Sequence, residues 1–120
     1  MTKSSGKSGK QKLSNTSSAD LIEQGNIALS RLEPELADKF YTAALVKSPT
    51  DTNIMDALAD IKLQIGEPDV AHALLTESTN SAPTENPIKW LYLAQLKQDQ
   101  DALFCYRSGI KLLEESIANN

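Results

Sequence analysis

Apolar residues recur along the chain at intervals of three and four, in six blocks separated by proline, glycine or short polar clusters. That spacing is the signature of helices that each bury one stripe. The first block, Ala19 to Arg31, is headed by Ser18 as a cap and Asp20 in the first turn, with Leu21, Gly25, Ala28 and Leu32 on one broad face. Glu33-Pro34 restarts the chain, because proline is tolerated at the first helical position. Leu36, Ala37, Phe40, Tyr41, Ala44 and Leu45 then follow until Ser48-Pro49 ends the helix. In the third block Thr50 or Asp51 caps, Ile54, Met55, Leu58, Ile61, Leu63 and Ile65 supply the stripe, and Gly66 suits the left-handed position past a helix end. Pro68 opens the fourth, with Val70, Ala71, Leu74 and Leu75 facing inward and Ala82-Pro83 closing it. A short fifth helix is expected at Ile88 to Lys97, a tight turn at Gln98 to Asp101, and a last helix from Asp101 to Ile117.

The blocks repeat. At one constant offset Ile27 falls on Ile61, Leu29 on Leu63, Glu33 on Glu67, Pro34 on Pro68, Ala37 on Ala71, Pro49 on Pro83 and Thr50 on Thr84. An ungapped period of about 34 residues is that of a two-helix solenoid unit. The expected fold is all-α, with about six helices in three units near 18–51, 52–86 and 87–120. The third unit is irregular. Trp90, Leu93 and Ala94 stand for Met55, Leu58 and Ala59 one residue late. Ala102 follows Ala94 four residues sooner than Ala71 follows Ala59, about one helical turn.

Charge divides the chain. Residues 1–18 hold Lys3, Lys7, Lys10 and Lys12 and no acid, while the remainder holds all 16 acids against 8 bases. This opening segment is rich in Ser, Gly and Lys and is read as a disordered basic tail, since it brings too little apolar area to offset ordering. A solubilising role is the plainer reading of that tail; nuclear import or RNA contact is the sharper one. The acidic body argues against direct nucleic-acid binding by the folded part and favours a basic protein partner. One cysteine excludes an internal disulfide, so a reducing compartment is expected, the cytoplasm and, through the tail, the nucleus. No apolar run approaches membrane-spanning length and no signal-peptide core precedes the body.

Laid over the period, the residue types resemble the tetratricopeptide pattern of Trp-x2-Leu-Gly-x2-Tyr, Ala-x3-Phe and Pro. Unit one offers Leu21, Gln24, Gly25, Ala28, Ala37, Tyr41, Ala44 and Pro49. Unit two offers Met55, Leu58, Ala59, Gly66, Ala71, Leu75 and Pro83. Unit three offers Trp90, Leu93, Ala94, Ala102, Tyr106 and Gly109. More narrowly, KSGKQKLS, LIEQGNIALSRLEPELADKFY, DTNIMDALADIKLQIGE and ENPIKWLYLAQL are similar to the start of a fungal tetratricopeptide family. That family includes the dedicated assembly chaperone of large-subunit ribosomal protein L-four. The resemblance implies a protein that holds a basic ribosomal client before it enters the ribosome. A generic interaction scaffold without a basic client is the alternative. Family members are longer, and a fragment, a truncated gene model or a shortened paralogue would each fit this length.

The resemblance also implies that the first helix of each unit lines a concave groove. By repeat position that client-binding groove would show Ile22, Asn26, Leu29, Asp56, Asp60, Leu63, Gln64, Leu91 and Gln95. Asp56 and Asp60 stand four apart and share a helix face, suited to a basic extended peptide; a solvated face is the plainer reading. Modules that clamp acidic chaperone tails place bases beside such an asparagine, but here the neighbours are Ile22, Asp56 and Asp60. No enzyme, cofactor or metal is expected. His72 and Cys105 are single and unaccompanied, which points to structural roles. Gly6-Lys7-Ser8 lacks the upstream glycine and strand of a phosphate loop. Leu103, Phe104, Ile110, Leu112, Leu113 and Ile117 are expected to leave an apolar face on the last helix, inviting self-association.

Overall fold

Two glutamate–proline steps set the geometry of the chain. In the computed structural model, which describes residues 15–119, Pro34 and Pro68 each occupy the first turn of a helix behind a glutamate cap. Glu33 has φ −118° and ψ 69°, and Glu67 has φ −119° and ψ 67°. The helices they open end alike, Ser48 at φ −132° and ψ 70°, Ala82 at φ −141° and ψ 68°. The same backbone path therefore recurs one repeat later, as the sequence period requires.

Six helices are bounded within the described residues, in order: α1 (Ser18–Ser30), α2 (Pro34–Lys47), α3 (Thr52–Gln64), α4 (Pro68–Ser81), α5 (Ile88–Leu96) and α6 (Asp99–Ala118). No strand occurs among the described residues. Each odd-numbered helix packs most closely on the even one after it, and the pairs then stack, α2 on α3 and α4 on α5. The result is an extended array of helix pairs, 57 × 31 × 24 Å, with a radius of gyration of 16.5 Å. A compact domain of this length would have about 13–14 Å.

Both regular turns are hydrogen-bonded in the same way. Glu33 N–H donates to Ala28 O at 2.9 Å and Leu32 N–H to Leu29 O at 3.0 Å. The second copy is Glu67 N–H to Lys62 O at 2.8 Å and Gly66 N–H to Leu63 O at 3.2 Å. This doubly bonded ending satisfies carbonyls left open at a helix C-terminus and needs a left-handed residue. Gly66 supplies it with φ 83°, and Leu32 supplies it with φ 60°.

The remaining boundaries correct the sequence reading in small ways. The cap of α1 is Ser17, whose Oγ accepts from Asp20 N–H at 3.1 Å, while Ser18 is already helical and its hydroxyl meets that of Ser48 at 2.8 Å. Asp51, rather than Thr50, caps α3 by accepting from Asn53 N–H at 2.9 Å and Ile54 N–H at 3.3 Å. The third pair does lose a turn: α5 has 9 residues where α1 and α3 have 13. Lys97 and Gln98 are extended, so α6 starts at Asp99, two residues early. Of the disordered tail expected over residues 1–18, residues 1–14 lie outside the described residues, while Ser17 and Ser18 belong to the start of α1.

Two apolar clusters run through the stack. Leu21, Ala28, Tyr41, Ala44, Ile54, Leu58 and Ile61 join α1, α2 and α3. Ala59, Ala71, Leu75, Leu93, Ala94 and Cys105 join α3 to α6. Gly25 lets α1 and α2 meet closely, since a Cβ there would lie 2.5 Å from Tyr41 Cδ1.

Candidate binding face

Spacing alone places Ile22, Asn26 and Leu29 on one face of α1, Asp56, Asp60, Leu63 and Gln64 on one face of α3, and Leu91 and Gln95 on one face of α5. The aliphatic members are partly committed to the core. Ile22 and Leu29 pack against the first cluster and Leu63 against the second. Leu91 turns toward α6, where a Cβ on Gly109 would lie 2.8 Å from its Cδ2. The polar members divide. Gln64 and Gln95 are exposed and Asp60 is half-buried. Asn26 is exposed, but its Oδ1 accepts from the Tyr41 hydroxyl at 2.7 Å, which fixes the amide. Burial pushes the Tyr41 phenol above its ordinary range.

Asp56 departs from both readings of it, groove lining and solvated face. It is buried, and its Oδ2 accepts from Asn86 Nδ2 at 2.7 Å. Asn86 has φ 48° and lies in the link between α4 and α5, so the link folds over this part of α3. Asp56 thus meets the start of α5, where a negative charge is favoured by the helix dipole. Of the acidic pair, Asp60 alone keeps partial access to solvent.

The sequence reading missed the residue that completes this junction. Lys89, in the first turn of α5, is 1 % exposed. Its Nζ donates to Ser78 O and Ser78 Oγ, each at 3.1 Å, and to Ala82 O. These are acceptors at the C-terminal end of α4, where a cation also complements the dipole. Burial pushes the ammonium below the usual lysine range, against the attraction of Asp56 and Glu85. A signal was present: the shifted third-unit alignment that sets Trp90 on Met55 also sets Lys89 on Ile54, a core position.

A concavity of about 280 Å³ opens between α4, α5 and α6. Leu93 and Cys105 floor it, and Asn80, Trp90, Asp101 and Phe104 edge it. Trp90 and Phe104 meet edge to face with ring centroids 5.9 Å apart, and Trp90 Nε1 donates to Pro83 O at 2.9 Å. Burial pushes the Cys105 thiol up, which disfavours the thiolate a nucleophile needs. His72 is half-buried on α4. Among the described residues no group of three or more His, Cys, Asp or Glu is placed to hold a metal, and no helix is long and apolar enough to cross a membrane. Compared with protein-family models and with characterised proteins, the sequence matches none.

Proposed function

We propose that this chain is a protein-interaction scaffold of tetratricopeptide type, which uses the shared face of α1, α3 and α5 to hold an extended segment of another protein. The observation that carries this reading is the make-up of that face. Fixed or exposed amide groups at Asn26, Gln64 and Gln95 alternate with partly buried Ile22, Leu29 and Leu63. Amides can bond a partner's backbone, and aliphatic groups can receive its side chains, as in other grooves that hold extended chains. The ungapped sequence period and its two matching turns support the tetratricopeptide assignment. Photo-crosslinking tests the function. A photoreactive residue at Gln64 or Gln95 is expected to trap protein partners in cells, and one at exposed Lys39 or Glu77 is not. Equal trapping at both sets, or none from the groove, overturns the reading.

A second reading, an assembly chaperone for a basic ribosomal protein, is favoured by one observation, the excess of acids over bases after residue 18. It predicts salt-sensitive binding of a Lys-rich peptide, weakened in Asp60→Lys. Binding that is absent, or indifferent to salt and to Asp60→Lys, leaves only the scaffold. On either reading the chain does no chemistry of its own, and it acts in the cytoplasm or nucleus.

A further inference from the structure

The last helix carries two stripes. Ala102, Cys105, Gly109 and Leu112 form one, with Cys105 and Gly109 buried and Gly109 close against Leu91 of α5. Leu103, Tyr106, Ile110, Leu113 and Ile117 form the other, at alternating steps of three and four over about 21 Å. Leu103, Tyr106, Ile110 and Ile117 are exposed on it. Phe104 is not part of this face; it leans on Trp90 from the opposite side of the helix.

The earlier helix pairs show what such a stripe is for. Tyr106 corresponds to Tyr41 of α2 and Leu75 of α4. Those two are 5 % and 0 % exposed, under α3 and α5, whereas Tyr106 is 41 % exposed. Position 110 corresponds to Leu45, which packs on the first cluster, and to buried Thr79. The second stripe of α6 is therefore the surface that a following helix covers elsewhere in the stack. It is also more apolar than its counterparts, having Leu103 and Ile110 where α2 has Asp38 and α4 has Thr79.

We propose that a second copy of this chain covers that stripe, its α6 lying antiparallel across a two-fold axis at Ile110. The charges favour this occupant. Arg107 and Glu114 are both exposed and flank one edge of the stripe, seven positions apart. Antiparallel pairing about Ile110 sets each Arg107 level with the second copy's Glu114, twice over, while Leu103 meets Ile117 and Tyr106 meets Leu113. Head-to-tail stacking is disfavoured by the other end. The face of α1 that corresponds to Ile54 and Leu58 of α3 carries Asp20 and Gln24, both exposed and polar. The inference is independent of what the groove binds.

Sedimentation of the full chain over a concentration series tests it. A closed dimer is expected. Ile110→Glu is expected to leave a monomer with unchanged helix content, since Ile110 is exposed. Arg107→Glu is expected to weaken the dimer by about tenfold or more, and Arg107→Glu/Glu114→Arg to restore it. A monomer at every concentration overturns the proposal. So does a dimer that survives Ile110→Glu, a series of growing oligomers, or a charge swap that fails to restore pairing.

Discussion

Leu32 and Gly66 hold the same place in successive helix pairs, and both have positive φ, 60° and 83°. Glycine adopts that conformation without penalty, while a leucine there crowds its own Cβ against the backbone. Leu32 is 87 % exposed, so little packing offsets the strain. Leu32→Gly is expected to stabilise the fold by about 0.5–1 kcal/mol, and Gly66→Leu to destabilise it by about 1 kcal/mol. Thermal or urea unfolding of both variants checks the pair of signs.

Gly25 faces the opposite constraint, since the space for a Cβ is occupied by the ring of Tyr41. That ring is buried and tied at its hydroxyl to Asn26. Gly25→Ala should therefore cost about 1–3 kcal/mol. Gly109→Ala should cost less, because the only contact below 3 Å is the end of the flexible Leu91 side chain, at 2.8 Å, with the backbone oxygen of Pro87 at 3.2 Å. Unfolding midpoints of the two variants give the comparison.

Asp56 and Asp60 lie one turn apart and should behave differently when made basic. Asp56→Lys places a second cation under the link that holds Asn86, beside Lys89, and is expected to cost about 3 kcal/mol or more. Asp60→Lys is half-buried and expected to shift stability by no more than about 1 kcal/mol. Denaturant titration separates them and makes Asp60 the position at which to test charge in binding.

Two of the lysines in the stack, Lys62 and Lys89, should respond to alkali in opposite directions. Lys62 bonds Asp38 and Glu67, each at 3.0 Å. Partial burial alone would lower its ammonium, but the hydrogen bonds and attraction of the two acids outweigh it, and the group stands above its ordinary 10.5. The stability it contributes is full below pH 10.5 and lost as pH rises through the raised value. Lys89 is held below 10.5, so the unfolded chain binds its proton more tightly between the two values, and its contribution grows as pH climbs through that window. Unfolding of Lys62→Met against the parent from pH 8 to 11 should show a gap that narrows. With Lys89→Met the gap should widen. At neutral pH Lys89→Met leaves three acceptors of Ser78 and Ala82 without their donor and should cost about 1–3 kcal/mol.

Where each helix starts and which stripe it buries was legible because proline, glycine and the apolar period act locally. Pro34, Pro68 and Gly66 each stand where their own backbone limits put them. The lost turn before Ala102 was legible as a count of residues. The state of Asp56 was not, because it depends on Asn86, which lies far along the chain and takes a left-handed conformation that no glycine announces. Lys89 reads as surface by type, and only its place in the repeat marks it as core. The apolar residues of α6 were legible as a set, but the split between the buried Cys105–Gly109 side and the Tyr106–Ile110 stripe needed the helix to be placed.

The most direct test of the central claim starts without assuming a partner. Peptides are selected against the full chain from a random display library, and the strongest binder is titrated into isotope-labelled protein while amide resonances are followed. Shifts centred on Asn26, Asp60, Gln64 and Gln95 are expected, with affinity lost in Gln64→Ala/Gln95→Ala. Binders that instead perturb the outer faces of α2 and α4, or a library that yields no binder, would contradict that claim.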